Sequence, residues 1–242
     1  MPRQPLSRIR SKLSSPLFVG PETFSARPEL AALICRVITG WAQVEGALAL
    51  VFARYAGMSV ESALNIYNTV EGFRAQRQML DGAAKWRLPA DDFHLYSATM
   101  KFVMQQYSVR NEMAHWVWAR TEDLPDALVI MEPVAQRRHH SMVFGAQTGF
   151  DIAKAPKYVE ELDKNTFVYR KPDLNRHADQ MFRAEILADR LQWLAAAPPV
   201  YEEQGRNHLL SEPYIVEHYD KMRRGNPIIL PNGAPDSKPQ PS

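Results

Sequence analysis

Proline placement is the feature that most constrains this chain. Five of its 18 prolines fall at positions 2, 5, 16, 21 and 28. None occurs from Glu29 to Leu88, from Ala90 to Leu124, or from Asp173 to Ala197. Proline breaks helix interiors, so these blocks are where long helices can form. Tyr55-Ala-Gly-Met-Ser59 interrupts the first block: Gly57 can take a left-handed position that ends one helix, and Ser59 can cap the next. This predicts helices over residues 29–56 and 60–86. A third runs from an Asp91 or Asp92 cap to about Arg120, and a fourth from Asp173 to just before Pro198. Between the last two, Ala127–Met131, Ser141–Phe144 and Thr166–Tyr169 are short and rich in strand formers. The expected fold class is all-α: an antiparallel helical bundle over residues 29–197, with a small β-hairpin or three-stranded insert at about 127–170.

The ends differ in character. Residues 1–28 carry Arg3, Arg8, Arg10, Lys12 and Arg27 against Glu22 alone. That is the composition of a transit peptide, but five prolines oppose a sustained amphipathic helix, so a flexible basic arm is expected. Residues 198–242 read as an extension with one short helix at Ser211–Arg224 and a disordered tail from Asn226. The net charge of +2 provides no global basic field, so attraction for nucleic acid must be local. A single cysteine, Cys35, cannot form an internal disulfide or a thiolate zinc site, which points to the cytoplasm. No apolar run approaches the roughly 20 residues of a membrane helix, so no membrane partner is expected. No carboxylate or Cys/His cluster has metal-site spacing, so neither metal nor cofactor is expected.

Three of the expected helices carry a charge in line with their apolar residues. Glu45 lies with Ile34, Ile38, Trp41, Leu48 and Phe52; Arg77 with Ile66, Val70, Phe73 and Leu80; Arg110 with Tyr96, Met100, Val103 and Tyr107. A charge removed from water needs a partner. Glu45 is therefore expected to meet Arg77, Arg110 or both.

Residues 110–115 read Arg-Asn-Glu-Met-Ala-His, near the end of the third helix. Arg grips phosphate oxygens through a planar fork, and His exchanges protons near neutrality. Asn111 and His115 are four apart and share a side of the helix. Arg110 and His115 lie about 140° apart, which suits a site in a groove beside the helix. This stretch, with Asn after Arg and Ala before His, resembles the RNxxAH motif of the HEPN superfamily (higher eukaryotes and prokaryotes nucleotide-binding). The similarity covers residues 29–197.

The resemblance implies a metal-independent endoribonuclease, a toxin or anti-phage effector, acting as a homodimer whose motif helices face each other. RNA would be cleaved to 2′,3′-cyclic phosphate and 5′-OH ends. Arg110, Asn111 and His115 would be catalytic, with Glu45 orienting Arg110. The alternative is a non-catalytic module that binds a nucleotide or a partner; a third reading is a purely structural dimer. An antitoxin protein is a further implied partner. Some toxin members carry a modifiable Tyr two residues after the His; this chain has Val117 there, so silencing by that route is not supported. Arg77, Arg137 and Arg138 are candidate RNA contacts, the last two in a turn running to His140. Trp116 borders the motif and is a candidate stacking residue, whereas Trp41, Trp86, Trp118 and Trp193 read as packing residues.

Overall fold

The structure, a computed structural model, describes residues 4–145, 155–195 and 198–225. It is mostly helical, with a small antiparallel sheet. Residue contacts divide the chain into two compact units, one of residues 1–41 and 106–182, the other of residues 42–105 and 183–242.

The first unit holds the sheet. Its strands are β1 (Gln4–Pro5), β2 (Phe18–Val19), β3 (Val117–Arg120), β4 (Ala127–Met131) and β5 (Thr166–Arg170), in the order β1-β5-β4-β3-β2, all neighbours antiparallel. Every residue of β4 is buried, as expected of a central strand covered on both faces. Ala127, Val129 and Met131 join Leu6, Ala119, Ala135, Leu162 and Val168 in one apolar cluster, with Ile9, Leu13 and Leu17 packed against it. On strands flanking β4, Trp118 lies 6.0 Å from Tyr169 between ring centroids.

The N-terminal segment is therefore no flexible arm. From residue 4 it supplies both edge strands, two 3₁₀ turns and the short helix α1 (Glu22–Ser25). Leu6 is fully buried. Ser14 and Ser15 both donate to the Asp123 carboxylate, their amides at 2.7 and 2.6 Å. Prolines in this segment preclude a long helix, but two-residue edge strands tolerate them.

The expected long helices are present, with corrected ends. α2 spans Pro28–Ala56, and a Schellman turn closes it: Met58 N–H donates to the Ala53 carbonyl and Gly57 N–H to that of Arg54, with Gly57 at φ 66°. The Ser59 hydroxyl then accepts from the Ser62 amide and caps α3 (Val60–Thr69). The single helix expected over 60–86 is two, because the backbone turns extended at Val70 and reaches φ 81° at Gly72 before α4 (Phe73–Arg87). α5 (Ala90–His115) stops five residues earlier than expected, and the residues after Trp116 become β3.

The stretch expected to form a strand at Ser141–Phe144, and the turn at Arg137–His140, belong to a helix, α6 (Pro133–Gly145). Proline opens it, and the Glu132 carboxylate accepts from the Ala135 amide at 3.2 Å. α7 (Ala155–Lys164) leads into β5, and α8 spans Lys171–Leu191. Asp173 accepts from the Arg170 amide, half of a capping box.

In the second unit, Phe52 faces Tyr67 and Tyr55 meets Tyr96 edge-on at 5.9 Å. The buried Tyr55 hydroxyl donates to the Leu191 carbonyl at 2.6 Å. The residues expected to extend beyond the bundle form α9 (Pro199–Leu210) and α10 (Pro213–Gly225) and are part of this unit. Arg206 of α9 grips Asp92 of α5 with two bonds of 2.8 Å. Gly205 permits close approach, since a Cβ there would lie 2.7 Å from the Trp193 Cβ. The tail expected from Asn226 lies outside the described residues.

By length and composition alone, α2 is long and apolar enough to cross a membrane. Core helices meet the same criterion, and Val37, Trp41, Val44, Leu48 and Val51 along it are all buried.

Candidate functional site

The motif occupies the last turns of α5, in the first unit. Its helix end is held from two sides. Trp116 N–H completes the final helical bond to the Glu112 carbonyl at 2.9 Å. The Trp118 indole N–H donates to the Met113 carbonyl, also at 2.9 Å, which occupies one of the acceptors a helix terminus leaves open. Trp118 sits on β3, so the sheet itself fixes the end of the motif helix. Met113 is buried and His115 is exposed, which turns the imidazole to the outside.

Arg110 and Asn111 are half-buried one turn earlier. Arg110 Nη1 donates to Asn111 Oδ1 at 3.1 Å. That bond uses the carboxamide oxygen as acceptor and leaves the donor capacity of Asn111 in its NH₂. Arg110 Nε is buried and has no acceptor among the described residues. Tyr107, one turn before, packs on Trp41 with centroids 5.1 Å apart. Trp116 packs on Phe167 of β5 at 6.1 Å and an interplanar angle of 32°. The last turns of α5 thus carry a guanidinium bonded to a carboxamide and, about 140° around the helix from the arginine, an exposed imidazole. Such a set can hold an anionic oxygen and exchange a proton beside it.

The other predicted site residues are dispersed. Glu45 and Arg77 belong to the second unit. No ion pair joins them among the described residues; Arg77 turns instead to Asp81, its neighbour one helical turn on, at 3.5 Å. Asp81 also accepts from the Tyr96 hydroxyl at 2.8 Å. Glu45 lies near Tyr67, where burial first and then this carboxylate push the phenol pKa upward. The i, i+4 spacing of Arg77 and Asp81 was the available signal, and reading only the apolar stripe passed over it. Arg137 is exposed on α6, and Arg138 there pairs with Glu161 of α7. Trp118, which fixes the helix end, was read only as a packing residue.

Among the described residues no group of three or more His, Cys, Asp or Glu is placed to hold a metal ion. No family model, curated protein or solved structure matches the chain.

Proposed function

We propose that the chain is a metal-independent endoribonuclease with a HEPN-like helical core, acting as a two-fold pair of subunits. The observation that carries the reading is the motif's arrangement: an exposed His115 one turn beyond an Arg110–Asn111 pair, on a helix end fixed by Trp118. In this reading Arg110 and Asn111 bind the phosphate that links two nucleotides. One His115 accepts the 2′-OH proton as that oxygen attacks the phosphorus. The bond to the 5′ oxygen breaks, and the partner subunit's His115 supplies the leaving oxygen with a proton. The products are a 2′,3′-cyclic phosphate and a 5′-OH, with no metal in the balance. Arg110 stabilises the charge gathered on the phosphorane oxygens. Such an activity fits a toxin or an anti-phage effector.

The test is incubation of the purified chain with total RNA in EDTA, beside His115→Ala and Arg110→Ala. Loss of a general acid–base group lowers cleavage about 10²–10⁴-fold. Cleavage equal in His115→Ala would assign the activity to a contaminant. No cleavage at all, with nucleotide binding lost in Arg110→Ala, would replace this reading with a non-catalytic binding module.

A further inference from the structure

The second unit carries a groove that the motif does not use. It lies at the turn between α2 and α3 and has a volume of about 470 Å³. That is within the roughly 300–1,000 Å³ of sites that take small molecules or single residues of a polymer. Arg54, Gly57, Ser59, Arg87 and Gln192 are among its lining residues, and no described lining residue is a carboxylate.

Most arginines of this unit have visible partners. Arg77, Arg183, Arg206, Arg223 and Arg224 each face an acid within 4.0 Å. Arg190 lies over the Trp193 ring at 4.4 Å. Arg54, Arg74 and Arg87 are exposed and form no ion pair among the described residues, and of these Arg54 and Arg87 line the groove. The Schellman turn sets Arg54 beside the groove, and Arg87 is the last residue of α4. Trp86, which precedes Arg87 in the chain and does not itself line the groove, is 75% exposed, the most exposed of the large apolar side chains described. Its sequence context suggests a packing residue, but most of its surface is exposed. Lys85 adds a third cation to the same turn.

We propose that this groove is a binding subsite for single-stranded RNA, with Arg54 and Arg87 holding a backbone phosphate and Trp86 stacking on an adjacent base. The proposal rests on the ribonuclease reading for the identity of the polymer. Its own support is two guanidinium groups that line the groove and form no ion pair among the described residues, with an exposed indole one residue from Arg87 in the chain. Guanidinium forks match phosphate oxygens, and a flat ring accepts any base, so the subsite binds without sequence preference. Two guanidinium groups, with no carboxylate among the described lining residues, favour an anionic ligand.

The test uses the full chain carrying His115→Ala, so that RNA is bound and not consumed. A fluorescein-labelled single strand of about ten nucleotides is titrated by anisotropy at several salt concentrations. In that background Arg54→Ala/Arg87→Ala is expected to raise Kd about tenfold and flatten the log Kd against log salt slope by about 0.7, the value for one phosphate. Trp86→Ala is expected to raise Kd about fivefold or more. Arg54→Lys/Arg87→Lys retains the charge; it recovers the salt slope and serves where the alanine pair fails to fold by circular dichroism. Binding within twofold of the parent in both the arginine and tryptophan variants overturns the proposal. So does a parent that binds no RNA, or a Trp86→Ala variant that changes only sedimenting mass, which would mark a contact between copies.

The two readings fail separately. Groove-dependent binding in a chain whose wild type cleaves nothing removes the nuclease and keeps the subsite. His115-dependent cleavage with groove variants that bind like the parent does the reverse.

Discussion

The Asp92 carboxylate has a side chain only 3% exposed, and Arg206 meets both of its oxygens. A buried charge that loses its partner costs far more than the pair contributes. Arg206→Ala is therefore expected to lower unfolding free energy by about 3 kcal/mol, at the low end of buried-pair losses because Arg206 itself is partly exposed. Urea denaturation measures it; a loss under about 1 kcal/mol would place the pair with ordinary surface bridges. The same logic shows what was legible in the sequence at this scale. Arg110, Asn111 and His115 can be read directly because their chemistry is compressed into six adjacent positions. The partner of Arg77 was misread because a stripe of apolar residues shows that a charge needs a partner but not which one. Asp81, one turn away on the same helix, needs no tertiary arrangement to reach it.

Elements were legible where proline placement decides. α2, α8 and most of α5 fall almost wholly in proline-free blocks, and Gly57 marks the end of α2. The break between α3 and α4 has no proline; it depends on Gly72, whose φ of 81° only glycine adopts freely. A Cβ at that position meets nothing within 4 Å, so the strain of Gly72→Ala is in the backbone alone. A loss of about 1–2 kcal/mol in the denaturation midpoint analysis is expected. The α6 stretch looked like a strand by composition, but Pro133 and the Glu132 cap set a helix start that composition does not record.

The N-terminal segment was hidden because its anchor is distant. Hydrogen bonds from Ser15 and Ser14 hold the Asp123 carboxyl below its ordinary value. A depressed carboxylate contributes above its unfolded pKa and loses that contribution as pH falls through the folded one. The Ser14–Ser15 attachment is thus expected to be intact at neutral pH and to release only below the ordinary aspartate value of 3.8. Asp123→Asn should release it at neutral pH. Faster amide exchange at Ser14 and Ser15 in the variant checks this, and unchanged protection would refute it.

For the molecule as a whole, the proposed mechanism demands two copies. Sedimentation at working concentration is expected to give twice the chain mass of 27.6 kDa. A monomer with full His115-dependent cleavage would rule out the shared cleft. Division into two units was not legible, because α2 and α5 each contribute residues to both, and a continuous helical pattern carries no mark of where one core ends. The sheet order has one more consequence, for how the protein is made. Gln4 pairs with Val168, so a strand synthesised early must wait for one that leaves the ribosome much later. At about 5–20 residues per second that delay is on the order of ten seconds. Throughout that interval Leu6 lacks the β5 residue Val168 with which it shares an apolar cluster in the folded unit.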